Sequence, residues 1–146
     1  MSRTLISIAG FLLAAVTAPA ISVTIFLIVS RLTPGDLDLP ELAMADVPLA
    51  FAVATLIGVI PSVVFGGLTL LAMKRLFRPW PAKMWTMGAG GGVAAAIYSL
   101  VATLIGFGPW GASRPWEDMA AAVVMSCVVL SGIVAGLIYH PFAKRG

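Results

Sequence analysis

The side chains that could do chemistry in this chain are few and far apart. Cys127 is the only cysteine, which excludes an intramolecular disulfide and CxxC redox chemistry; a small packing residue is the expectation. His140, the only histidine, stands between Tyr139 and Pro141. A zinc site needs three or four protein ligands, and neither acids nor other thiols lie near it in sequence. At a helix C-terminus its imidazole is expected to be solvated and favoured by the helix dipole rather than to ligate haem. Ser131 precedes Gly132 but lacks the GxSG context of a membrane serine protease, and nucleophilic catalysis needs an assembled base that is missing. Asp36, Asp38 and Glu41 lie close together in RLTPGDLDLPELAMAD, yet the interleaved leucines and prolines give no loop of alternating oxygen ligands for calcium. A solvated acidic loop is expected there; the alternative is that Leu37, Leu39 and Leu42 fold the segment back on the outer surface, with a short helix starting at Pro40.

The stretch WTMGAGGGVAAAIYSL, residues 85–100, resembles a phosphate-cradling loop at first sight. Such loops follow a strand, open a polar helix and need an acid or a Lys-Ser/Thr pair at a set distance. None of these surrounds it. With no catalytic constellation, cofactor motif or metal set, the chain reads as a non-enzyme.

The elements that carry these residues are set by hydropathy. Of 146 residues, 60% are hydrophobic and 10% charged, against roughly 25% charged in a soluble domain. Residues 4–30, 47–73, 84–113 and 119–143 contain no Asp, Glu, Lys or Arg. Each run exceeds the roughly 20 apolar residues that cross a bilayer core. Lipid offers no partner to backbone amides, so each should be an α-helix closed on its own hydrogen bonds. The expectation is an all-α membrane protein, one integral domain over 1–146, with helices at about 4–30, 47–73, 84–108 and 119–140 in a compact four-helix bundle. MSRT followed by an apolar run and TAPA imitates a signal peptide, but the apolar run continues through ISVTIFLIVS, so an uncleaved first helix is expected.

Charge sets the orientation. Arg3, Lys74, Arg75, Arg78, Lys83, Lys144 and Arg145 fall on one side of a four-pass chain; Arg31, Arg114 and all six acids fall on the other. Cytoplasmic loops retain Lys and Arg, so both termini are expected in the cytoplasm. Trp80, Trp85, Trp110 and Trp116 fall at the interfaces, where tryptophan concentrates. The Ala/Gly-rich composition suits a bacterial inner membrane. KRLFRPWPAK interleaves basic and aromatic residues, but positive-inside bias and an aromatic belt account for it without nucleic acid. Lys74, Arg75, Arg78 and Lys83 are candidate contacts for anionic lipid headgroups.

The glycines then read as a packing surface. Gly88, Gly92 and Ala96 recur every four residues, Gly91, Ala95 and Ser99 form a parallel ridge, and Gly132 and Gly136 do the same in the fourth span. Small-xxx-small ridges let helix backbones approach where lipid removes the hydrophobic drive. Further small residues, Gly10, Ala14, Ala18 and Ser22, then Ala50, Ala54 and Gly58, mark the first two spans. Pro19 and Pro61 lie near the middles of those spans, where each removes a backbone donor; kinks and possible hinges are expected there. SVVFGGL at 62–68 also aligns with SGIVAGL at 131–137, a hint of two duplicated hairpins.

Two functions are compatible with these features. The ridges favour a protein that works by helix association, as a homo-oligomer or as an accessory subunit of a membrane complex. The prolines and the uncharged interior favour a small permease or flippase component for a neutral or apolar substrate. That second reading requires a cavity near the midplane, lined by Thr17, Ser22, Thr55, Ser62, Tyr98 or Thr103.

Overall fold

The computed structural model describes residues 3–32, 46–76, 83–106 and 118–144. It contains four helices, α1 (Arg3–Leu32), α2 (Val47–Leu76), α3 (Met84–Leu104) and α4 (Met119–Ala143). All four are long and apolar enough to cross a membrane. At 1.5 Å per residue the shortest, α3 with 21 residues, is about 31 Å long, still the thickness of a hydrocarbon core.

The ends differ from the expected ones for local reasons. α2 runs three residues past Met73 and takes in Lys74 and Arg75, because long basic side chains can snorkel to the interface while their backbone stays helical. α4 likewise continues through Pro141 to Ala143, and the backbone N–H of Lys144 closes the last turn on His140 and Phe142 carbonyls. α3 stops four residues short of 108. Gly106 takes a φ of 68°, its N–H bonds the Thr103 carbonyl and that of Ile105 bonds Val101. This left-handed glycine one residue past the cap is a helix-stop signal, readable in IGFG. At the start of α4, the Asp118 carboxylate accepts from the Ala120 N–H at 2.9 Å, a side-chain N-cap.

Neighbouring helices are antiparallel. Contacts pair Phe11 with Gly66 and Pro19 with Gly58 across α1 and α2, Met73 with Gly90 across α2 and α3, and Met87 with Gly136 across α3 and α4. The helices stand in a ring: α3 packs most extensively on α4, then α1 on α4, then α1 on α2, with α2 on α3 the slightest pair. Among the described residues the diagonal pairs, α1 with α3 and α2 with α4, bring no Cα atoms within 8 Å of each other. One end of the bundle therefore gathers the start of α1, the end of α2, the start of α3 and the end of α4; we call it the terminal end, and its opposite the far end.

The core is asymmetric along this axis. At the terminal end, Ala14, Ala18, Met87, Ala135 and Tyr139 form a buried cluster from three helices, with Leu70 of α2 packed against it. Toward the far end, the buried cluster is Ala102 and Ala121, from α3 and α4 alone.

Candidate binding site within the bundle

The small residues of α3 and α4 meet at backbone distance. A Cβ added at Gly132 would lie 2.5 Å from the Gly91 carbonyl oxygen and 2.6 Å from Ala95 Cβ, and one added at Gly91 would overlap the Gly132 carbonyl. Gly136 faces the Met87 carbonyl in the same way. The hydrogens that stand in place of side chains thus point at carbonyl oxygens of the opposite helix, a reciprocal Cα–H···O arrangement that adds weak bonds to close packing. Gly88 and Gly92 receive side chains instead: Leu137 Cδ2 lies 3.0 Å from the Cβ position of the first and Ile133 Cγ1 2.8 Å from that of the second. The closest backbone approach of the seam therefore runs along the row through Gly91 and Ala95.

On the other side of the ring the small residues do not close. Ala14, Ala15, Ala18 and Ser22 of α1, Ala50, Ala54, Gly58 and Ser62 of α2, and Gly90, Ala94 and Ala95 of α3 line a central cavity of about 630 Å³. That volume lies within the range of ligand pockets, roughly 300–1,000 Å³. Larger side chains hold the helices apart. Pro19 Cγ of α1 lies 2.6 Å from the Cβ position of Gly58, Phe11 rests on Gly66 with Cε2 3.3 Å from that glycine's Cβ position, and Met73 Sδ is 2.5 Å from that of Gly90. The rings of Phe65 and Tyr98 meet with centroids 5.7 Å apart across α2 and α3. Both prolines line the cavity, and α1 and α2 remain helical through them.

The cavity is closed at the terminal end. Ser7 Oγ and Tyr139 Oη are hydrogen-bonded at 2.8 Å, tying α1 to α4, and the Phe11 ring stands edge-on to Tyr139 with centroids 6.2 Å apart. Phe142 covers Gly10. These side chains carried no signal in the sequence beyond their apolar character, since the pairing joins residues 132 positions apart.

The expected hydroxyls divide. Ser22, Ser62 and Tyr98 line the cavity, whereas Thr17, Thr55 and Thr103 do not. Thr17 bonds the Leu13 and Ala14 carbonyls and Thr103 the Ser99 carbonyl, each serving its own helix. Ser62 and Ser131 line the cavity but also donate inward, to the Gly58 and Val128 carbonyls. The lining contains no charged side chain. Water needs two to four polar partners, and the lining, apart from scattered hydroxyls such as Ser22, Thr69 and Tyr98, is alkyl and aromatic. An apolar occupant suits it.

Other candidate residues fall elsewhere. Cys127 is buried and lines the cavity; His140 sits in the last turn of α4, its Nε2 buried without a hydrogen-bond partner, as is Ser99 Oγ in α3. Lys74, Arg75 and Lys83 are exposed at the terminal end. Arg78, the acidic segment with Asp36, Asp38 and Glu41, and Trp80, Trp110 and Trp116 lie outside the described residues. No protein-family model matches the chain, and neither the curated proteins nor the solved structures give a significant match.

Proposed function

We propose that the protein is a small intramembrane binding component, of the permease or flippase kind, that takes an apolar molecule or the apolar part of one between its helices. The cavity carries this reading: it is lined by all four helices, has no charged side chain among the described residues and includes both mid-helix prolines. The reading based on helix association loses its motive, because the ridges at Gly88, Gly91, Gly92, Gly132 and Gly136 are occupied within the chain. The outward face of α2 offers a partner helix little purchase: Leu49, Leu56, Ile60, Leu68 and Leu71 stand exposed, while Ala50, Ala54, Gly58, Ser62 and Gly66 line the cavity. Large aliphatic side chains suit lipid; close helix pairs favour small ones.

The test is retention. Protein purified in mild detergent should carry about one apolar molecule per chain when extracted and weighed by mass spectrometry, and Ala54→Phe, which narrows the cavity, should retain several-fold less. Wild type that retains nothing, or a variant that retains as much, overturns the proposal. Light scattering on the same sample addresses the association reading, which predicts oligomers.

We further place the chain in a bacterial inner membrane with both termini cytoplasmic. Lys74, Arg75, Lys83 and Lys144 support this from the terminal end, and Asp46 and Asp118 from the far end. In a Cys127→Ala background, Ser113→Cys should react with an impermeant thiol reagent in intact cells whose outer membrane has been opened, and Arg78→Cys only after lysis. Labelling of position 78 before lysis overturns the orientation.

A further inference from the structure

The shape of the cavity and the charges at its closed end narrow the occupant. On α2 the lining runs from Ala50 to Met73, about 35 Å at 1.5 Å per residue, and on α1 from Phe11 to Phe26, about 22 Å. The cavity is thus elongated along the helices and, on its α2 wall, as tall as the bilayer core, a shape that suits an extended hydrocarbon chain.

At the terminal end the slot stops beside a group of cations. Met73 precedes Lys74 and Arg75, Met87 stands one helical turn after Lys83, and Tyr139 lies little more than a turn before Lys144. All four basic residues are exposed, and none meets a carboxylate among the described residues, whose acids, Asp46 and Asp118, are at the far end. The slightest packing in the ring is α2 on α3, and we take that seam as the side on which the slot opens toward lipid.

Resting on the binding reading above, we propose that the occupant is an anionic diacyl phospholipid. One acyl chain lies in the slot, entering between α2 and α3; the other stays in the bilayer; the phosphate sits over Lys74, Arg75, Lys83 and Lys144. The lateral opening favours a two-chain lipid of the surrounding membrane over a free fatty acid, which would need no such seam. Each cation near a membrane surface adds about fivefold to the attraction of an anionic headgroup at low salt.

The experiment uses the full chain reconstituted in phosphatidylcholine bilayers. Phosphatidylglycerol, phosphatidylcholine and stearic acid, each spin-labelled near the end of one acyl chain, report immobilised lipid by electron paramagnetic resonance. Phosphatidylglycerol should associate at least tenfold more strongly than phosphatidylcholine at low salt. K74Q/R75Q/K83Q/K144Q should bring the two within about twofold, with helicity by circular dichroism unchanged. Ala54→Phe should release the labelled chain end. Equal wild-type association of the two phospholipids, with both released by Ala54→Phe, overturns the anionic headgroup and keeps the cavity reading. Stronger retention of stearic acid than of phosphatidylglycerol overturns the diacyl source. Indifference of every probe to Ala54→Phe overturns the cavity reading itself.

Discussion

α2 and α4 stand at opposite corners of the ring, each flanked by α1 and α3, and the segments SVVFGGL and SGIVAGL give them related sequences. Yet α4 buries Ala121, Cys127, Ser131, Gly132, Ala135 and Tyr139, and α2 buries nothing. Composition does not account for this, since both helices place Ser, Ala and Gly along their inner faces. The difference lies in what each face meets. Gly132 and Gly136 meet Gly91, Ala95 and the Met87 backbone, so two bare surfaces close on each other; Gly58 and Gly66 meet Pro19 and Phe11, so a bare surface meets a prop. A small residue in a membrane helix thus permits close approach, and only a second small residue opposite it makes that approach happen. Where the partner is large, the same residue becomes the wall of a cavity.

Substituting the aligned glycines should separate the two helices most sharply. Gly136→Leu must displace the Met87 and Gly88 backbone, and overpacking against backbone that cannot rotate away costs about 3 kcal/mol, the upper end of the usual range. Gly67, the residue aligned with Gly136, has only Phe11 Cζ near, 3.8 Å from its Cβ position, an ordinary contact. Gly67→Leu should change stability by less than about 1 kcal/mol, and the removal of a helical glycine favours it slightly. Unfolding in mixed micelles of rising denaturing-detergent fraction measures both. Equal losses would show that the two corners are packed alike.

The terminal end can be loosened separately. Ser7→Ala and Tyr139→Phe each remove one partner of the 2.8 Å bond that ties α1 to α4. Each should cost about 1 kcal/mol, and the double variant little more than either, because a shared bond is lost only once. Additive costs would mean that the hydroxyls act independently and that packing of Phe11 and Phe142 alone closes this end.

The four spans were legible because charge-free runs of this length have one stable form in lipid. Their ends were less so: Lys74 and Arg75 bound α2 in composition but not in structure, and the stop at Gly106 was present in the sequence but hidden inside an apolar run. The small-residue ridges were legible as a packing surface, whereas the closest approach, Gly91 against Gly132, depends on the register of two helices and on which ridges face each other. The cavity was legible only as a requirement. Ser22, Ser62 and Tyr98 line it and Thr17 and Thr103 do not, because no single sequence shows which side of a helix meets the gap; bonding a preceding carbonyl does not decide it, since Ser62 bonds one as Thr17 and Thr103 do.

The smallest expected effect belongs to the outer face of α2, and it separates a lipid-facing helix from one covered by a partner. Ile60 is 69% exposed and lies on the face shared by Leu56, Val64 and Leu68. In a bilayer, truncating such a side chain exchanges protein methyl groups for lipid methylenes of equal polarity, and the usual cost of uncovering or emptying apolar space does not arise. Ile60→Ala should therefore shift the unfolding midpoint by less than about 0.5 kcal/mol, the range of surface substitutions. Met87, 3% exposed in the terminal core, supplies the internal standard: its truncation to Ala should cost about 2–5 kcal/mol. If Ile60→Ala instead approaches the Met87 value, and the loss grows with protein-to-lipid ratio, another helix covers α2 in the membrane. The corner that buries nothing within one chain would then be buried between chains, and the contrast with α4 would vanish.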